Sequence, residues 1–241
     1  MRILVINPNS SVEMTQSIRE VLERIRRDDT ETDVIRTEGA PVAIQSAKDA
    51  ALAIPHVLEL VRKGNANGVD AIVLACFSDP GLEAARELSD ALVLGIQETT
   101  LHIAAMLGHK YTILTPLAKR IASKEQDVRR FRAESACASV RALGMTVPET
   151  EADPTRAKAR ILAVAREAIE QDGAEVVVLG CAGMVGYAED VERELEIVVL
   201  DPTTIAFKVA EALIDAGIRH SKRGLYAMPQ GDLGTTIRER G

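Results

Sequence analysis

Two cysteines stand at equivalent points of two similar segments of this chain. The segment GVDAIVLACFSDPG, from Gly68, aligns without a gap on GAEVVVLGCAGMVG, from Gly173, and the alignment pairs Cys76 with Cys181. A single cysteine after an apolar run is most often a buried packing residue, so the argument depends on the repeat. Each cysteine follows a candidate strand, and ligands bind at the carboxyl ends of parallel strands. Two matched thiols in one cleft could serve as base and acid on opposite faces of one carbon atom.

Residues beside the two cysteines could stabilise the enolate that forms when a proton next to a carbonyl is removed. That chemistry needs hydrogen-bond donors aimed at the developing oxyanion. We expect them from the backbone N–H groups of Phe77, Ser78, Ala182 and Gly183. Each cysteine is also expected to lie near a helix N-terminus, which would lower the pKa of its thiol.

A third polar segment, NPNS, follows the first candidate strand. We expect Asn9 to reach the edge of the cleft and contact the ligand. Ser10 is interpreted as a helix cap, because Glu13 stands three residues later in the capping-box pattern. Cys137 has no counterpart in the other half and is assigned to packing.

Strand-like apolar runs alternate with longer amphipathic segments, which is typical of βαβ units and a parallel sheet. The candidate strands are RILVIN, TDVIRT, DAIVLAC and ALVLGI in the first half, and YTILT, ASVRALG, EVVVLGC and EIVVLD in the second. We therefore predict an α/β fold of two pseudo-symmetric doubly wound units, each with a mainly parallel sheet flanked by helices, and an active site in the cleft between them. The first unit spans 1–98 and the second 99–203, and residues 204–241 are expected to pack back onto the first.

Helix boundaries are predicted from capping residues. Asp79-Pro80 and Asp153-Pro154 each combine an N-cap side chain with a proline suited to the first helical position. Gly173 is expected to end the helix that Asp153 begins.

Composition narrows the class of protein. The 241 residues carry a net charge of −7, which disfavours a nucleic-acid binder, and only the stretch from Arg219 to Arg240 is basic, interpreted as a surface tail. No apolar run approaches the roughly 18 residues of a membrane span, and the first strand begins at once, so we expect a cytoplasmic protein without a membrane partner. The three cysteines and four histidines show no metal-site spacing, and no glycine-rich nucleotide motif follows a strand. We expect no metal site.

Three motifs together resemble the hydantoin racemase branch of the aspartate/glutamate racemase superfamily, which includes allantoin racemases. They are ILVINPNSS followed shortly by MT, ACFSDPGLEAAR, and LGCAGM, and the ending SKRGLYAMP is also similar. The resemblance runs nearly the full length. It implies a site with two catalytic thiols that needs no cofactor, a homo-oligomer, and catalytic roles for Cys76 and Cys181.

Some positions depart from the branch's pattern. The second half usually opens with two threonines at the end of its first strand, whereas here Thr115, a candidate substrate contact, is followed by Pro116. GIQETT, with Gln97, replaces the usual GIGEAA, and Gln45-Ser46 replaces a Glu-Ser pair. We interpret these as changes in substrate contacts that leave the thiols in place.

The expected substrate is a neutral cyclic ureide. No Lys or Arg lies in the three candidate loops, although carboxylate substrates need cationic clamps. Lys119 and Arg120 follow LTPL and could reach the cleft, but at the start of a helix we expect them on a solvated face. We therefore predict an isomerase that inverts the C5 centre of a 5-substituted hydantoin or of allantoin. The alternatives are a decarboxylase or cis-trans isomerase on the same scaffold, and a non-enzymatic accessory protein that kept the cleft.

Overall fold

The computed structural model describes residues 1–229 and shows a chain of alternating strands and helices. The first half contains β1 (Arg2–Asn7), α1 (Val12–Ile25), β2 (Glu31–Arg36), α2 (Ala47–Ala66), β3 (Ala71–Leu74), α3 (Leu82–Leu88), β4 (Leu92–Gly95) and α4 (Ile96–Leu107). The second contains β5 (Tyr111–Thr115), α5 (Ile121–Arg130), β6 (Cys137–Ala142), α6 (Val147–Ala152), α7 (Pro154–Asp172), β7 (Val176–Leu179), α8 (Ala188–Leu195), β8 (Val198–Leu200) and α9 (Pro202–Asp215). Six candidate strands of the sequence contain the observed strand, and β2 and β6 each begin one residue before their candidates. The predicted basic tail and the returning segment 204–241 both extend past the described residues.

The strands form two parallel sheets of the same topology. Their orders are β2-β1-β3-β4 and β6-β5-β7-β8, and every strand pair is parallel. The two inner strands of each sheet are buried along their length apart from one terminal residue of β1, which explains why they read as continuous apolar runs. The predicted α/β fold of two similar units is confirmed.

The internal repeat is visible in the hydrogen bonds at the strand ends. The Ala75 N–H donates to the carbonyl of Ile6, and the Gly180 N–H donates to the carbonyl of Leu114, both at 2.8 Å. Each bond fixes the residue just before a cysteine against the carboxyl end of the neighbouring strand. The two cysteines therefore leave their sheets at matching positions.

The helices after β4 and β8 pack across the two halves. The first of them, α4, contacts α9 and also β7 of the second sheet, while α9 contacts α1, β3 and β4 of the first sheet. Apolar side chains of α9, among them Ala206, Phe207 and Ala210, belong to the same buried cluster as residues of both sheets. This exchange of helices holds the carboxyl ends of the two sheets together.

The first helix is capped one residue later than the sequence indicated. Ser11, rather than Ser10, is the N-cap of α1, and its Oγ accepts the Met14 N–H at 3.0 Å. The Ser10 N–H donates instead to the Pro41 carbonyl, which ties the segment to the loop before α2. The predicted cap at Asp153 is confirmed, because its Oδ1 accepts the Arg156 N–H at 3.0 Å and Gly173 ends α7 with a φ of 68°.

Asp79 does not begin the helix that follows it. Gly81, with a φ of 78°, precedes α3, and the Asp79 carboxylate reaches across to accept the N–H groups of Gln97 and Glu98 at 3.0 and 2.8 Å. Asp79 therefore caps α4. Gly95 makes room for it, because a Cβ at that position would lie 2.3 Å from the Asp79 Cγ.

Within 1–229, no helix is both long and apolar enough to cross a membrane.

Candidate active site

The two cysteines lie in loops that leave the sheets in the same way. The Cys76 N–H donates to the Leu74 carbonyl at 3.0 Å, and the Cys181 N–H donates to the Leu179 carbonyl at 2.9 Å. Both thiols are free and partly buried, and both line one cleft of about 490 Å³, part of which is open to solvent.

Most of the residues singled out in the sequence line this cleft. Those that do are Asn9, Cys76, Phe77, Ser78, Thr115, Cys181 and Ala182, together with Pro116 and Gln45 from the positions that depart from the branch's pattern. Gly183 does not line it. The Gly183 Cα faces Met14, Thr150 and Glu151, and the residue borders a different cavity.

Each thiol has a partner two residues further along the chain. The Cys76 Sγ lies 3.4 Å from the Ser78 Oγ, and the Cys181 Sγ accepts the Gly183 N–H, also at 3.4 Å. The hydroxyl can donate or accept, whereas the N–H can only donate. Gly183 therefore supports the sulfur of Cys181 and does not aim its N–H at the cleft.

The predicted lowering of the thiol pKa values is wrong for this state of the protein. Burial raises the pKa of Cys76, against opposing contributions from the Ser78 hydroxyl and the positive charge of Lys124. Burial likewise raises the pKa of Cys181 to about 12, because the Gly183 N–H and Lys124 offset only part of the desolvation. Cys76 is also six residues before the first residue of α3, so it gains little from that helix terminus.

Two of the four expected backbone donors remain available. The Ser78 N–H is used by the carbonyl of Cys76 at 2.7 Å, and the Gly183 N–H by the thiol of Cys181. The N–H groups of Phe77 and Ala182 form no hydrogen bond with any residue in the described part of the chain. These two groups, each directly after a cysteine, can donate to an oxyanion bound in the cleft.

Asn9 is held by its own segment. Its Oδ1 accepts the Ser11 N–H at 2.9 Å and the Asn7 amide at 3.0 Å, and its Nδ2 lies 3.1 Å from the Met14 sulfur. A thioether is a weak acceptor. The Asn9 amide is thus oriented by strong bonds on one side and keeps its donor at the cleft wall.

Lys124 is a site residue that sequence reasoning missed. It is 2% exposed, lines the cleft, and contacts the Phe77 carbonyl from α5 of the other half. Its Nζ also lies 3.1 Å from Asp127 Oδ2 and 3.3 Å from Gln97 Oε1. Burial lowers the pKa of Lys124, and Asp127 opposes that shift. The signal was a lysine in the apolar stripe of α5, in register with Ile121 and Val128.

Cations reach the cleft from outside the three candidate loops. Arg120 and Lys124 both line the cleft, while Lys119 is exposed as expected. Gln97, one of the departures, contacts Lys124 and Asp127 and does not itself line the cleft. Its role is to hold Lys124 in place.

Asp79 connects the Cys76 loop to α4. Burial raises the pKa of this carboxyl to about 7, although two backbone N–H groups of α4 lower it. Asp79 lies three residues after Cys76 in the same loop, and its negative charge raises the pKa of the Cys76 thiol.

No group of three or more potential metal ligands occurs among residues 1–229.

Comparison with known proteins identifies the family. The sequence profile described as Asp/Glu/Hydantoin racemase matches residues 3–210. The chain belongs to that family. The resemblance inferred from the cysteine motifs is therefore confirmed.

Full-length relatives in the family include two racemases. A hydantoin racemase from Pseudomonas sp. (strain NS671) is 36% identical over 230 residues, which cover 95% of this chain and 92% of that protein. The allantoin racemase from Klebsiella pneumoniae has a similar structure, with a TM-score of 0.92 and 33% identity over 95% of this chain and 94% of that one. Arylmalonate decarboxylase shares the fold alone, with a TM-score of 0.62 and 19% identity over 90% of this chain and 94% of that one.

Proposed function

We propose that this protein is a cofactor-independent racemase that inverts the C5 centre of a 5-substituted hydantoin or of allantoin. The observation that carries the proposal is the placement of Cys76 and Cys181, one from each repeat, on a single cleft. The two full-length racemase relatives support the same reaction class. The hydrogen on C5 is acidic because it lies next to a ring carbonyl, so a positioned base can remove it.

The proposed reaction moves one proton in and one proton out. A cysteine thiolate takes the C5 hydrogen, and the electron pair of the C–H bond moves onto the adjacent carbonyl oxygen to form an enolate. The N–H groups of Phe77 and Ala182 stabilise that oxyanion. The opposite thiol then donates its proton to the other face of C5, and the enolate electrons form the new C–H bond. The two sulfurs have exchanged roles at the end of the turnover.

The surroundings favour Cys76 as the first thiolate. The Ser78 hydroxyl and the charge of Lys124 lower the pKa of Cys76, and Asp79 opposes them. At Cys181 the negative charge of Glu151 raises the pKa, and the opposing charge of Lys124 is the smallest contribution. A thiolate formed at a buried sulfur is poorly hydrated and is therefore a strong base. Burial therefore lowers the fraction of thiolate and raises the basicity of each thiolate that forms.

The test uses single enantiomers of a panel of 5-substituted hydantoins and of allantoin, with optical rotation followed over time. The wild type should racemise at least one of them. Cys76→Ser and Cys181→Ser should each lower kcat/KM by about 100- to 10,000-fold, the usual contribution of a general acid or base. Cys137→Ser is the matched control, since Cys137 lies on β6 and does not line the cleft. Full activity in either of the first two variants would reject the two-thiol scheme.

The same purified protein can be tested for a rival reaction, decarboxylation. A decarboxylase acting on a substituted malonate would release carbon dioxide and needs only one proton donor. Loss of carbon dioxide from an arylmalonate, with no change in the optical rotation of any hydantoin, would replace the racemase proposal.

We also propose a homo-oligomeric cytoplasmic protein whose two units divide between residues 98 and 99, with no nucleic acid or membrane partner. The packing of α9 on β3 and β4 supports the return of the last segment to the first unit, and α4, which contains the boundary, packs on β7 of the second sheet. Sedimentation of the purified chain at several concentrations tests the oligomer.

A further inference from the structure

Arg120 is a cation in the cleft wall without a counterion among residues 1–229. It ends the short helical turn Ala118–Arg120 before α5, is half-buried, and lines the same cleft as Cys76 and Cys181. Its side chain forms no hydrogen bond or ion pair with any other residue within 1–229.

Other half-buried or buried Lys and Arg side chains within 1–229 have partners, which are carboxylates except for Lys222, whose Nζ donates to the backbone carbonyls of Arg86 and Glu87. Arg86 pairs with Glu98, Arg141 pairs with Asp172, and Lys124 pairs with Asp127. Arg120 also repels Lys124, because its charge contributes to lowering the pKa of that lysine. The wall formed by Arg120 and Lys124 therefore holds two positive charges and one paired carboxylate.

A guanidinium in such a position is suited to an anionic ligand. Its planar fork of N–H donors matches a carboxylate in a bidentate arrangement, and it stays charged at every physiological pH. We infer that Arg120 binds a carboxylate on the C5 substituent of the substrate, so that the preferred hydantoins carry acidic side chains. This inference rests on the proposed function, which identifies the ring as a hydantoin. The inference adds that the substituent at C5 carries a carboxylate.

The test measures binding, which needs no turnover. Calorimetry compares 5-(2-carboxyethyl)hydantoin with its neutral amide, 5-(2-carbamoylethyl)hydantoin, on the wild type, Arg120→Gln and the matched control Lys119→Gln. The wild type and the control should bind the acid about 10- to 100-fold more tightly than the amide, as expected for a charged hydrogen-bonded pair. Arg120→Gln should abolish that ratio, and Arg120→Lys should restore part of it.

Several outcomes would overturn the inference. One is an equal affinity of the wild type for the acid and the amide. Another is an acid-to-amide affinity ratio in a folded Arg120→Gln protein that equals the wild-type ratio. A third is Arg120-dependent binding of free L-aspartate or L-glutamate but not of the acidic hydantoin, because it would place the carboxylate on an open-chain ligand.

A separate assay distinguishes failure of the inference about Arg120 from failure of the proposed racemase function. Racemisation of the neutral 5-benzylhydantoin by the wild type tests the reaction without any carboxylate. Racemisation of that compound together with an absent acid preference would reject only the role of Arg120. Acid-selective binding that depends on Arg120, without racemisation of any hydantoin, would support the carboxylate site and reject the reaction.

Discussion

The two cysteine loops leave their strands in the same way but have different electrostatic surroundings. In both, the residue before the cysteine is bonded to the neighbouring strand at 2.8 Å, and a partner two residues later lies 3.4 Å from the sulfur. The Cys76 loop is held by a lysine from the opposite half, whereas the negative charge of Glu151 lies on the side of Cys181. A duplicated fold has thus placed two equal groups in unequal fields.

This difference bears on how a two-thiol site can work. A racemase with identical thiols needs one to be ionised and the other protonated at the start of each turnover. Lys124 contributes to the asymmetry because it contacts the carbonyl of Phe77, the residue after Cys76, and forms no hydrogen bond with the Cys181 loop, although its charge lowers the pKa of both thiols. The backbone repeat sets the positions of the sulfurs, and the unrepeated side chains determine which sulfur ionises first.

Removing the lysine is the strongest way to break the asymmetry without changing a sulfur. Lys124→Met should lower kcat/KM for a neutral hydantoin by about 10- to 100-fold, because the Cys76 thiolate loses a favourable charge and the Phe77 carbonyl loses a donor. The acidic limb of the pH–rate profile should move to higher pH, which a merely structural role would not cause.

The control and a rescue make that result interpretable. Lys119→Met, an exposed lysine on the preceding turn, should leave the profile where it is. Lys124→Arg should recover part of the rate because it keeps the charge. An unshifted profile in a folded Lys124→Met protein would show that Lys124 does not control the thiol.

The rates of thiol alkylation compare the two loops directly, with a smaller expected difference than the substitutions of Lys124. Because burial raises the pKa of both thiols, little thiolate is present at pH 7, and the rate of alkylation by iodoacetamide should increase about tenfold per pH unit between pH 7 and 9. Cys76 should be labelled before Cys181, as measured by peptide mass spectrometry at short times in a Cys137→Ser background. A flat pH dependence, or faster labelling of Cys181, would contradict the assigned surroundings.

The sequence predicts the scaffold better than the charges around the site. The eight strands and the pairing of Cys76 with Cys181 follow from continuous apolar runs and from one gapless alignment, both of which are local patterns. The pairing of Asp79 with α4 could not be read in the same way, because its two partners lie 18 and 19 residues further along the chain. The cap at Ser11 differs from the predicted Ser10 by a single residue, which is the usual uncertainty of a helix boundary.

The positions of the two cations could not be predicted for a related reason. The loops that carry the cysteines contain no Lys or Arg, Arg120 was expected on a solvated helix face, and Lys124 was not singled out. Arg120 and Lys124 reach the cleft from the turn after β5 and from α5, so their presence depends on how the second half packs against the first. Only the position of Lys124 in an apolar stripe could have indicated burial.

The central claim is that each sulfur handles one face of the same carbon atom, and deuterium exchange tests it most directly. Each enantiomer of a racemised hydantoin is incubated in D₂O with Cys76→Ser or Cys181→Ser, and deuterium at C5 is followed together with optical rotation. The account predicts a mirror-image result: one variant exchanges one enantiomer without inverting it, and the other variant exchanges the opposite enantiomer. Exchange of the same enantiomer by both variants, or inversion at the wild-type rate by either, would contradict it.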